Sequence, residues 1–217
     1  KIKRLNLDRT VVVSSELNSS GNASEIMAVI EPWLEGLAMD WPEQYSYLSG
    51  GDTESSAENM GAVYKWLPLS GVIIVLLLVI QFNSIRKTFM VVATIPLGLI
   101  GVIGGLLVFR EAFGFLPFLG LISLAGIVIN NAIVLLDRVD FENRQLGRPL
   151  NDAIIAACLQ RFRPILLATT TTVLGLLPLY ISGGEMWSGM AISIMSGLLF
   201  GTLITLILIP CMYSLFF

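Results

Sequence analysis

Histidine is absent from this sequence, and cysteine occurs only at positions 158 and 211. Without histidine, neither a Ser-His-Asp triad nor a His-based metallopeptidase site can be assembled from these residues. Cys158 and Cys211 suggest no disulfide framework and no Cys-based zinc site, and are most simply packing residues. The Gly-x-Gly-Asp sequence of intramembrane aspartyl proteases is missing as well. Charge is scarce: 13% of the 217 residues are Asp, Glu, Lys or Arg, against about 25% in a soluble domain. The little there is divides unevenly, with four basic and ten acidic residues up to position 60 and nine and six after it. Nucleic-acid binding would need a basic stripe, and none is present. Lys1 to Asp8 lacks an initiating Met and the apolar core of a signal peptide, so the chain reads as a piece of a longer protein.

Apolar sequence fills the space that charge leaves. Hydrophobic residues make up 55% of the chain, and the mean hydropathy is +0.80. Uncharged runs lie between Lys65 and Arg86, Lys87 and Arg110, Glu111 and Asp137, Arg163 and Glu185, and from Glu185 to the last residue. Each reaches the roughly 20 residues a helix needs to cross a bilayer, and none alternates with strand period. Five spanning helices are therefore expected, over about 63–82, 88–109, 113–137, 164–182 and 190–217. Arg86 and Lys87 lie in one connection, and five arginines from Arg138 to Arg163 lie in another. The connections at 110–114 and 183–189 are nearly neutral or free of bases. Positive loops stay on the cytoplasmic side, which places the N-terminal segment outside and the C-terminus inside.

Residues 1–60 read as an α+β segment and linker. The β-branched run Thr10–Leu17 predicts a strand, and Ser24 opens a helical pattern through Ile26, Met27, Ile30, Trp33, Leu34 and Leu37. Pro32 inside it predicts a kink or an early stop. A short extended stretch at 45–48 completes a β-α-β order, and a polar linker fills 49–59.

The third span, around Leu121–Asp137, carries Asn130 and Asn131 deep in apolar sequence. An amide left unpaired in hydrocarbon costs several kcal/mol, so both should face protein or water. Two roles are open to them: hydrogen-bonding helices together, or forming part of an ion or proton route. In the fourth span, Thr169–Thr172 cannot all share one face, so some point at neighbours and some bond back to their own helix. At about 1.5 Å of rise per residue, asparagines and threonines stand at similar heights above the basic loop. Gly101-x-x-x-Gly105 in the second span would admit a neighbouring helix closely or would be a chance pair in a glycine-rich helix; Gly126 is the third candidate packing glycine. Leu150, Ile154, Cys158 and Arg161 share one side of a helix that starts at Pro149, expected to lie along the membrane as a separate surface helix. The fifth span, with Ser193, Ser196, Gly197, Gly201 and Thr205, looks like a packing helix.

As a set, several motifs resemble the second half of resistance-nodulation-division (RND) efflux permeases. They are Gln81-Phe82-x-Ser84, Ile95-Pro96-Leu97-Gly98-Leu99-Ile100-Gly101, and Gly126-Ile127-Val128-x-Asn130-Asn131-Ala132-Ile133-Val134-Leu135-x-Asp137. Arg161-Phe162-Arg163-Pro164-Ile165-Leu166, Leu174-Gly175-Leu176-Leu177-Pro178-Leu179 and Thr202-Leu203-x-Thr205-Leu206 extend the match from about Gly61 to Tyr213. The resemblance implies the end of a periplasmic porter-type insertion followed by helices eight to twelve of a proton-driven exporter in the bacterial inner membrane. It implies a homotrimer working with a periplasmic membrane-fusion adaptor and an outer-membrane channel, with no cofactor, resident metal or enzymatic step. Proton coupling would fall on Asn130, Asn131, Arg161, Thr169 and Thr170, opposite paired aspartates of helix four, which lies outside this chain. Asn130 stands where the family has a lysine, Arg161 matches the family's arginine, and Ala168 stands where a threonine is usual, with Thr169 beside it. Drugs or amphiphiles are the expected cargo. Metal ions are the alternative, although Met27, Met39 and Met60 form no clear soft-metal cluster, and a helper of protein export or lipid movement is a further one.

Overall fold

A computed structural model describes the backbone of residues 3–5, 8–15, 23–42, 45–48 and 52–217. The chain divides into two units, Lys1–Ser49 and Gly50–Phe217.

In the first unit, β1 (Lys3–Leu5) pairs antiparallel with β2 (Asp8–Thr10), Lys3 opposite Thr10 and Leu5 opposite Asp8. Helix α1 (Ala23–Ala38) follows. Among the described residues the order is thus β-β-α, where β-α-β was expected. Residues 11–15 join no ladder, nor do residues 45–48, while 16 and 17 fall outside the described residues. A β-branched run becomes a strand only where another strand takes up its backbone groups, and Val11 and Val13, both at least 90% exposed, have no such neighbour here. Helix α1 continues through Pro32, so of the two outcomes expected there, a kink or an early stop, the early stop does not occur. Its stripe of Ile26, Ile30, Trp33 and Leu37 stays exposed.

The second unit is helical. Helix α2 spans Asp52–Phe82, α3 Ile85–Phe109, α4 Phe115–Asp140, α5 Leu150–Ser182 and α6 Gly184–Phe216. Among the described residues, these are five helices long and apolar enough to cross a membrane. Helix α2 starts well inside the stretch read as a linker. Its first residues, Asp-Thr-Glu-Ser-Ser-Ala-Glu, hold acids that suit the positive end of a helix dipole and contain no proline or glycine. A second difference lies in α5, which is one helix from Leu150 to Ser182, so the expected break at Arg163-Pro164 is not there. Proline forfeits one backbone hydrogen bond, and a long helix packed on neighbours absorbs that loss. Helix α4 passes into a π-helical turn, Phe141–Gln145. At the other end, α3 closes where Arg110 takes the left-handed conformation, its N–H reaching the carbonyls of Leu106 and Leu107.

Helix α6 is the centre: it packs along α3, α4 and α5, whereas α2 meets mainly α3. Lipid is as apolar as leucine, so close fit rather than hydrophobicity holds such helices together, and small residues allow it. A Cβ added at Gly101 would lie 2.5 Å from Phe200 Cβ, and one at Gly105 would fall on the Ser196 side chain. Across the α4 boundary, Gly197 faces Leu124 and Val102, while Gly120 approaches the Met190 carbonyl. Gly126 differs from the other two candidate glycines, since a Cβ there would meet nothing within 4 Å.

Candidate functional site

Helix α4 has two unlike faces. Leu124, Val128, Ala132, Leu135, Leu136 and Val139 are buried against the bundle. Ser123, Gly126, Asn130 and Asp137 are exposed. Their spacing of three, four and seven residues returns to nearly the same angle on a helix of 3.6 residues per turn, so they form one stripe of small and polar groups. Ser123 bonds back to the Leu119 carbonyl at 3.0 Å. Among the described residues no hydrogen bond is made by the Asn130 or Asn131 side chain; Asn130 is exposed and Asn131 half-buried. Neither amide joins α4 to another helix among the described residues.

The threonine run sorts itself in the way its geometry requires. Thr169 is buried, and its hydroxyl lies 2.8 Å from that of Thr202 on α6, forming a bond between helices. Thr170 and Thr171 are exposed and Thr172 is half-buried, and all three bond back to carbonyls of their own helix, at 2.8, 3.0 and 2.9 Å. Thr94 on α3 and Thr205 on α6 are buried as well. Arg161, on one side of α5 with the buried Ile154, Ala157 and Ile165, is half-buried, and its Nε has no hydrogen-bond partner among the described residues. Thus the structure places Thr169 in the bundle and Asn130 on its outer surface, and it brings no two of Asn130, Asn131, Arg161, Thr169 and Thr170 into hydrogen-bond contact.

A buried charge network near the arginine-rich loop was not foreseen from sequence. Lys87, 1% exposed at the start of α3, pairs with the Asp140 carboxylate on α4. The Tyr213 hydroxyl of α6 donates to the other Asp140 oxygen at 2.7 Å. Three helices are tied through one carboxylate, which answers the desolvation of the lysine. Next to it, Glu142 of the π-helical turn is fully buried, accepting from Arg138 at 2.6 Å and Gln160 at 2.9 Å. Arg148 stands at ion-pair distance, 3.2 Å, from its second oxygen without hydrogen-bond geometry. Lys87 reads in sequence as a mark of orientation. Only the three-residue spacing of Asp137 and Asp140, at the end of an apolar helix, hinted at more. At the opposite end Ser188 donates to Glu111 at 2.7 Å.

Comparison with known proteins places this geometry. The AcrB/AcrD/AcrF family model matches residues 1–217. The swarming motility protein SwrC of Bacillus subtilis (strain 168) is 30% identical over 200 residues, which are 90% of this chain and 19% of that protein. Two crystal forms of a heavy metal efflux pump share the fold, with TM-scores of 0.68 and 0.66 at 23% and 22% identity. Each comparison covers 88% of this chain and 19% of the pump. The chain therefore spans about a fifth of the length of the relatives it matches.

Proposed function

The chain belongs to the AcrB/AcrD/AcrF family of RND permeases, and from that membership we propose that it forms helices eight to twelve of a proton-driven efflux transporter. On this reading α2 to α6 are those five helices, and residues 1–60 end the second periplasmic insertion. The whole transporter sits in the bacterial inner membrane as a homotrimer, with a periplasmic adaptor and an outer-membrane channel as partners. The arginine-rich loop and the Lys87 end face the cytoplasm.

The observation that carries the proposal is the open polar stripe of α4. An exposed amide in hydrocarbon is costly, and Asn130 finds no partner among the described residues. A helix from the remaining sequence, bearing the acids the family uses for proton uptake, would remove that cost and complete a relay. An amide carries no charge, so Asn130 would answer protonation through hydrogen bonds and water rather than through an ion pair. Arg161 is the one cation of the candidate set. Asn131 and Thr170 take lesser parts, since Asn131 points about 100° away and Thr170 is engaged with Leu166.

On cargo, the structural neighbour seen in two crystal forms, a heavy metal efflux pump, favours a metal ion over the drug or amphiphile suggested by sequence. Its support is at the level of fold. Expression of the full-length protein in an exporter-deficient strain, challenged in parallel with soft and borderline metal salts and with amphiphilic dyes, separates the two.

Asn130→Leu in the full-length protein tests the relay, Leu being close to Asn in size. Loss of export at normal trimer level is the expected result. Near-normal export, with stability lowered by about 1 kcal/mol, would leave Asn130 a helix-joining residue only.

A further inference from the structure

Three acids stand together at the arginine-rich end of α4 and its π-helical turn, and two of them are engaged. Asp140 is held by Lys87 and Tyr213, and Glu142 by Arg138, Gln160 and Arg148. Asp137 alone of the three makes no ion pair and no hydrogen bond among the described residues. It is exposed and lies on the stripe of Ser123, Gly126 and Asn130, two helical turns and about 10 Å beyond Asn130. An ionisable side chain inside a spanning segment is by default a functional group, because holding a charge at membrane depth is costly.

We infer that Asp137 is the carboxylate through which protons leave the polar face of α4 for the cytoplasm, an inference that rests on the proton-driven reading above. The charged groups that bear on it are Asp140 on its own helix, Lys87 on α3 and Arg161 on α5. Neither cation pairs with it: Lys87 is engaged by Asp140, whose other oxygen Tyr213 occupies on α6. A carboxylate clamped in an ion pair cannot cycle, whereas one with cations only at a distance can both take and lose a proton. The step is a simple transfer. A proton arriving through hydrogen-bonded water from the Asn130 layer forms the O–H bond of a neutral carboxylic acid at Asp137. That bond then breaks towards cytoplasmic water, which takes the proton and leaves the carboxylate as before. Seven residues separate the two groups, so water has to bridge them.

The test uses the full-length permease in liposomes with a pH-sensitive dye inside, together with carbodiimide labelling read by mass spectrometry, since carbodiimide reacts with the protonated acid. Asp137→Asn should slow substrate-driven proton transfer by about a hundredfold at unchanged trimer level. Asp137→Glu should restore transfer with a pH profile moved up by a few tenths of a unit, the difference between the two acids. In the unaltered protein Asp137 should take the label, and Asp140, held by Lys87 and Tyr213, should not. Equal transfer by Asp137→Asn at every pH overturns the inference. So does the absence of label at Asp137, which decides the matter even if Asp137→Asn fails to assemble. If the unaltered permease moves no protons with substrate, the proton-driven reading itself has failed, a result distinct from both.

Discussion

A hydroxyl in a membrane helix either returns to its own backbone or reaches across to a neighbour, and Thr169 is the member of its run that reaches. Removing it should therefore show coupling where removing its neighbours does not. In a double-mutant cycle of Thr169→Val with Thr202→Val, measured by denaturant unfolding in detergent micelles, a coupling of about 0.6 kcal/mol is expected. The same cycle with Thr171→Val should give none, since Thr171 bonds to Leu167 and Ala168. The run was legible in sequence as a polar feature, but which threonine faces α6 was not. That depends on the rotation of α5, and the rotation is set by where Ala153, Ile154, Ala157 and Ile165 find their groove. The asparagines were legible in a different sense. Their need for a partner follows from chemistry alone, while the finding that no described residue supplies one required the fold.

Among the elements, the five spans were read from composition because length and lack of charge suffice to name a spanning helix. Their ends were not. Helix α2 begins near Asp52 and α5 near Leu150, because polar sequence with good helix formers carries a helix on past the apolar limit. The glycines divide on the same ground. Gly101 and Gly105 sit where α3 meets α6, whereas Gly126 opens on nothing in this chain, a distinction that a GxxxG pattern does not encode. Gly105→Ala should drive α3 from α6 and lower stability by about 1 to 3 kcal/mol, read as a loss of α3–α6 cysteine cross-linking. Gly104→Ala, with open space around it, should leave the cross-link intact. Gly126→Ala should behave like Gly104→Ala in this chain alone and affect the full-length protein only if another helix comes to rest there.

For the whole molecule, the proposed orientation rests on charge in the connections. In a full-length protein freed of Cys158 and Cys211, a cysteine at Arg144 should be labelled by an impermeant maleimide only from the cytoplasm, and one at Gly184 only from the periplasm. Reversed labelling would undo the orientation and with it the direction assigned to Asp137. The central place of α6 bears also on assembly in time. Ribosomes release helices in chain order, so α3, α4 and α5 enter the bilayer before the helix that fills the space among them. Until it arrives, Gly101, Gly105, Leu124 and Thr169 face lipid, and the buried pair of Lys87 and Asp140 lacks the Tyr213 hydroxyl. A nascent chain halted before Gly184 should hold its helices as separate, protease-sensitive spans, and continued synthesis through Tyr213 should make them resistant together. The last helix of this bundle is thus its keystone, and a lesion anywhere along α6 should act as a failure of biogenesis before it acts as a failure of transport.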